Sequence, residues 1–159
     1  MRKFNWPLIA LSYFSLFCIG IADNARSSIY PNIIDTLNLS YEQGSIIFSI
    51  SSLTGLIPTL SAKYWLPRFG IVAPQRVLAL MLISATLIIA FSISFYPSFI
   101  GLLIGASLIG MTMGGLSITM NLSIDKGVPE QHRRKFFSGL HSLYGLSSGF
   151  APVILLFLK

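Results

Sequence analysis

The sequence predicts an all-α membrane protein with five transmembrane helices, and two observations predict it. Only 10% of the 159 residues are charged while 53% are hydrophobic, giving a mean hydropathy of +0.75. Soluble domains carry about 25% charged residues, so these few charges cannot clothe a water-facing surface. The second observation is that apolar runs recur along nearly the whole length. Each approaches the roughly 20 residues that a helix needs to cross a hydrocarbon core of about 30 Å. No long linker, low-complexity tract or soluble domain interrupts them, so residues 1–159 read as a single transmembrane domain.

The first span, residues 6–37, is the unusual one. Its clean apolar run, residues 8–22, covers only about 22 Å at 1.5 Å per residue, short of a full crossing. To cross, the helix must carry Asp23-Asn24-Ala25-Arg26 into the bilayer and continue through Ile29, Tyr30, Ile33 and Ile34. On a helix Asp23, Arg26, Ser27 and Tyr30 share one stripe, and Asp23 and Arg26 are i,i+3 neighbours able to pair. Ionisable groups inside a span are costly and face a protein interior or a water-filled cavity. The alternative is a helix that ends early and leaves both charges at the outer interface. A third reading takes Met1-Arg2-Lys3, the apolar run and Gly20-Ile21-Ala22 as a cleavable signal peptide, which would leave four spans.

The later spans fall at residues 45–65, 77–95, 99–122 and 136–158. The second repeats small residues at Ser45, Ser49, Ser52, Gly55 and Thr59, a face that lets another backbone come close. The third is apolar all round, with Ser and Thr as its only polar residues, as suits a lipid-facing helix. The fourth carries the small-xxx-small pairs Gly101/Gly105 and Gly110/Gly114, a packing signal. The fifth places His141, Tyr144 and Ser148 at i, i+3, i+7, then Pro152, whose missing amide donor weakens the helix ladder. Connections are short: a charged one at 63–76, an uncharged one at 96–98 and a basic one at 125–135.

Basic residues orient the chain. Of 11 Lys and Arg, all but Arg26 and Lys159 fall on one side if the N-terminus is cytoplasmic: Arg2, Lys3, Lys63, Arg68, Arg76, Lys126, Arg133, Arg134 and Lys135. The opposite loops, 36–43 and 96–98, contain none, and five spans put Lys159 outside. The net charge of +6 is therefore a topology signal, and no nucleic-acid partner is expected. Cys18 is the single cysteine, so it can form no intrachain disulfide, and its apolar run predicts a buried structural thiol. No Cys/His/acid cluster has metal-ligand spacing and no glycine-rich phosphate loop follows a strand, so neither metal nor cofactor is expected. Gly145-Leu146-Ser147-Ser148-Gly149 matches G-x-S-x-G, but that motif exposes its serine at a strand-to-helix bend, and this stretch reads as continuous helix. No catalytic residue and no enzyme activity are expected.

These features resemble the N-terminal half of a major facilitator superfamily transporter over nearly the whole chain. The resemblance rests on the polar cluster of the long first helix followed by Tyr30-Pro31, and on "LNLSYEQGSI" leading into the second helix. It also rests on the short basic loop after that helix, the glycine-rich fourth helix, and "GLSSGFAP" (145–152). In the loop the family pattern runs acid, base, any residue, glycine. Here it reads Pro67-Arg68-Phe69-Gly70, with proline in place of the acid. The register of the polar cluster and of Asn121 after "LSITM" is similar to that of fucose-permease-like sugar:proton symporters. Where those keep membrane acids this chain has Ser27 and Ser117, which leaves Asp23 as the acid clearly inside a span.

The resemblance implies an incomplete six-helix N-terminal bundle, truncated after its fifth helix, and secondary active transport of a small polar solute by alternating access about a midplane site. It implies a substrate or coupling-ion pathway of Asp23, Asn24, Arg26, Tyr30, Asn121, His141 and Tyr144, with His141 nearer the inner end as a gate or a structural group. It further implies a gating loop of Arg68, Gly70 and Arg76 and a helix-five hinge of Gly145, Gly149 and Pro152. The expected partners are a small-molecule substrate, membrane lipid, and the missing C-terminal helices or a second half-transporter. The expected location is a bacterial inner membrane. The alternative function is a non-transporting membrane module, an orphan half or accessory subunit, that packs through its small-residue faces.

Overall fold

The protein is seen here in a computed structural model that describes residues 3–157, with side chains described as far as Val153. Arg2 and Lys159, used above to orient the chain, and Leu158, the end of the fifth span, lie outside the described residues. The elements are α1 (Trp6–Leu37), α2 (Tyr41–Phe69), α3 (Val72–Ser94), α4 (Phe99–Gly127), a 3-10 turn (Glu130–His132) and α5 (Arg133–Phe157). There is no strand among the described residues. By length and composition α1 to α4 can each cross a membrane. The 25 residues of α5 are also the length of a span.

α1 runs unbroken for 32 residues, so it does not end before Asp23. At 1.5 Å per residue it is about 48 Å long, and the Asp23–Arg26 stretch lies near its middle. A turn with Asn38 at positive φ (49°) leads into α2. There Ser40 Oγ accepts from Gln43 N (3.2 Å) while Gln43 Oε1 accepts from Ser40 N (2.9 Å). This reciprocal capping satisfies two amide donors that the first turn would otherwise leave open. It starts α2 at Tyr41, four residues before the expected span.

The connections are shorter than hydropathy suggests. α2 continues through Lys63, Pro67 and Arg68 to Phe69 and stops at Gly70, whose φ of 70° suits glycine and whose N–H bonds Leu66 O at 2.9 Å. α3 starts two residues later, so the connection expected to hold Arg68, Gly70 and Arg76 is only a tight turn. Gly70 is in it, but Arg68 is in the last turn of α2 and Arg76 in the second turn of α3. Likewise Asp125 and Lys126 belong to α4, and Arg133 to Lys135 open α5. Hydropathy marks where a chain leaves the apolar slab. The backbone ladder runs on past that level, since long basic side chains lay their stems on apolar surface while the charge stays in water.

Two compact units make up the fold. The first combines the chain up to Ser28 with the chain from Leu116 onward, and the second is Ile29–Gly115. In the second unit α2 crosses α4 at glycines. A Cβ at Gly114 would run into the Gly55 carbonyl oxygen, and one at Gly110 into the Ser51 carbonyl oxygen. Thr54 Oγ1 donates to Ser107 O (2.9 Å) at the same crossing. Ile33, Ile47, Leu102 and Ala106 form this unit's buried cluster. The expected small-residue stripe of α2 is thus divided: Gly55 packs on α4, while Ser45, Ser49, Ser52 and Thr59 stay exposed.

In the first unit Ile9, Ile124, Val128 and Leu140 are buried together. Buried Ser12 donates to Met120 O (2.9 Å), joining α1 to α4. Tyr13 OH donates to Phe136 O (2.8 Å), and Gly139 makes room for that phenol, joining α1 to α5. Hydrogen bonds between helices are well suited to lipid, where no water competes for the donor.

Candidate functional site

The polar residues of α1 meet α5 inside the first unit. Gly20 opens the approach: a Cβ there would collide with Ser147 Oγ as it is placed, so glycine lets Ser147 keep that position against α1. One turn on, Asn24 Nδ2 donates both to Gly20 O (2.9 Å) and to Ser148 Oγ (2.8 Å). Asp23 takes two partners with its two oxygens. Oδ1 accepts from Arg26 at 3.0 Å on its own helix, and Oδ2 accepts from Tyr144 OH at 3.0 Å on α5. The Arg26 side chain is 14% exposed and that of Asp23 is 29% exposed.

The arrangement follows from local geometry. An i,i+3 pair on a helix faces one way, so guanidinium and carboxylate meet without a bend in α1. Tyr144 and Ser148 are i,i+4 on one face of α5, and the long phenol reaches Asp23 while the short hydroxyl meets Asn24. The acid is held by a cation, which balances its charge, and by a phenol, which donates a hydrogen bond to its other oxygen. A ligand donor could take the place of the Tyr144 hydroxyl while Arg26 still balances the carboxylate.

The family model described as Major Facilitator Superfamily matches residues 2–158. The chain belongs to the Major Facilitator Superfamily. It is an all-α, multi-pass membrane protein, and the general activity that goes with this family is membrane transport. No curated protein and no solved structure gives a match to it.

Not every residue that the superfamily resemblance singled out joins this cluster. Tyr30 belongs to the second unit, where its ring meets Phe48 edge-on at 4.7 Å and its hydroxyl lies over Gly44. Asn121 is half-buried and donates to Ser117 O on its own helix at 2.7 Å. His141 is exposed and makes no hydrogen bond or ion pair among the described residues. Arg68 and Arg76 are exposed, with the Arg68 guanidinium 5.5 Å from the Phe69 ring centre. Gly145 and Gly149 meet nothing that a methyl group would touch, and α5 stays helical through Pro152. The G-x-S-x-G stretch is part of that helix, with Ser147 Oγ donating to Tyr144 O at 2.8 Å.

Gly20, Ser147 and Ser148 take part in the α1–α5 contact but were not among the site residues read from the sequence. A signal for them existed. Gly20 precedes Asn24 by one turn and Ser148 follows Tyr144 by one turn, the spacing of a close helix pair joined by small polar groups.

Proposed function

We propose that this superfamily member is a secondary active transporter of a small polar solute and works by alternating access. One observation carries the reading: an acid in the middle of a 32-residue apolar helix, shared between a cation on that helix and a phenol on another. A buried ionisable group is expensive in a membrane and marks substrate or ion pathways. Its phenol partner here is exchangeable, which suits a group that must release one contact and take up another during a cycle. Asp23 is the acid for coupling or substrate contact, Arg26 and Tyr144 hold it between events, and Asn24 with Ser148 keeps α1 and α5 in register. Alternating access needs two bundles rocking about a central site. The reading therefore includes a second bundle, from the same polypeptide or another.

The test is uptake in the native cell, where any partner bundle is present, comparing the unaltered gene with one carrying Asp23→Asn. A panel of labelled small polar solutes should include one that accumulates above its external level. That accumulation should collapse when ionophores dissipate the ion gradients and should be lost in Asp23→Asn. Accumulation unchanged by Asp23→Asn, or uptake that only equilibrates, would overturn the proposal.

A further inference from the structure

Between α2 and α3, near the turn at Gly70, lies a cleft of about 400 Å³, within the range of ligand pockets. Ile57, Pro58, Trp65, Phe69, Val77 and Met111 help line it. Its polar atoms are already used: Trp65 Nε1 donates to Pro58 O (3.0 Å) and Ser61 Oγ to Ile57 O (2.6 Å). Nothing in it would orient a water-soluble ligand. Along α2 it reaches from Ile57 to Phe69, about 18 Å at 1.5 Å per residue. One leaflet of hydrocarbon is about 15 Å deep, half of the 30 Å core.

The charges around the cleft are of one sign. Lys63, Arg68 and Arg76 are exposed, and Arg68 lies against Phe69, itself a wall of the cleft. Lys63 is drawn over the Tyr64 ring, 4.8 Å from its centre. The sequence has no acid between Glu42 and Asp125. Glu42 is in the first turn of α2, at the far end of that helix, and Asp125 is paired with Arg133 at 2.6 Å. None of the three cations forms an ion pair among the described residues. A second copy of this surface would set three uncompensated cations against three more. An anionic lipid would neutralise them and fill the apolar space below.

We propose that the α2–α3 cleft binds an anionic phospholipid, with one acyl chain along the wall formed by Ile57, Trp65 and Phe69 and the phosphate held by Arg68 and Arg76. Basic pockets between membrane helices on the cytoplasmic side hold acidic headgroups by this combination of charge and apolar depth. The inference does not depend on the transport mechanism proposed above.

Trp65 reports on the cleft directly. The chain has two tryptophans, and Trp6→Phe leaves Trp65 alone while keeping an aromatic ring beside Phe4. The full chain with this substitution is placed in bilayers containing phosphatidylglycerol or phosphatidylcholine with brominated acyl chains, which quench tryptophan on contact. Phosphatidylglycerol should reach half-maximal quenching at a lower mole fraction, by about 5-fold for each arginine engaged. Adding Arg68→Gln and Arg76→Gln should remove the preference and leave quenching by phosphatidylcholine unchanged. Both arginines are exposed, and circular dichroism should show unchanged helix content in the variant. Equal quenching by the two lipids would overturn the proposal. So would a Trp65 shielded from both, the result expected if another helix or a second copy covers the cleft. Loss of the preference on adding glycerol phosphate at matched ionic strength would also overturn it, by showing a soluble-anion site.

Discussion

Asp23 carries a charge into the apolar body of α1, and its partners decide whether the helix can tolerate it. A charged group at the centre of a membrane helix costs about 2.5–3.5 kcal/mol on insertion scales. With Arg26 the charge is balanced on the same helix, and with Tyr144 the remaining carboxylate oxygen is satisfied from α5. Removing one member of a buried pair leaves the other uncompensated, which is worse than removing both. Asp23→Asn or Arg26→Ala should each lower stability by about 2–3 kcal/mol, and the Asp23→Asn, Arg26→Gln double variant by less than either. Thermal unfolding in detergent checks this, and single variants that melt like the unaltered protein would show the pair to be peripheral. Tyr144→Phe keeps the ring and removes only the hydroxyl, so it should cost about 1.5–3 kcal/mol, the range for a hydrogen bond to a charged group. The Asp23–Arg26 pair was legible in the sequence because its spacing is local. Its link to Tyr144 spans 121 positions, and helical periodicity carries no information about which face of a distant helix it will meet.

Glycines do two different things at the level of helices, and the sequence does not distinguish them. The spacing of Gly110 and Gly114 predicts packing positions, and their missing side chains let the backbones of α2 and α4 touch. Alanine there must push against a carbonyl oxygen, and overpacking of this kind costs about 1–3 kcal/mol. The family resemblance implies a hinge at Gly145 and Gly149, and both face open space. Alanine at either position meets no atom and should raise helix stability by about 0.5–1 kcal/mol. Melting temperatures of Gly114→Ala and Gly149→Ala should therefore move in opposite directions. If Gly145 and Gly149 bend during transport, their alanine variants will also lose uptake while gaining stability, an outcome that separates hinge from packing. The helix boundaries show a similar limit. Each apolar stretch overlaps one of α1 to α5. The capping pair Ser40/Gln43 and the Gly70 stop set the ends of α2, and the hydropathy profile is blind to both.

At the scale of the whole molecule the strongest constraint is the placement of basic residues. Each transmembrane helix reverses the side of the membrane, so the short connections alternate between the two compartments. Lys63, Arg68 and Arg76 flank the α2–α3 turn, and Lys126, Arg133, Arg134 and Lys135 flank the α4–α5 connection. The α1–α2 turn and the residues 95–98 between α3 and α4 carry no Lys or Arg. Short loops rich in Lys and Arg are retained in the cytoplasm, and the rule counts basic residues rather than net charge. Asp35 and Glu42 beside the α1–α2 turn therefore neither support nor oppose the assignment. The reading in which residues 1–22 are a cleaved signal would remove half of α1, including the Gly20 contact with Ser147, and would leave Asp23 at a free terminus. The prediction follows from the alternation. Reporter fusions within 126–135 should read cytoplasmic, and fusions within 96–98 and after Lys159 should read external. A cytoplasmic signal after Lys159, with the other two as expected, would mean that α5 does not cross the bilayer. Its polar face, with Tyr144 and Ser148 bonded to α1, would then have to be held in the interface rather than in the hydrocarbon core.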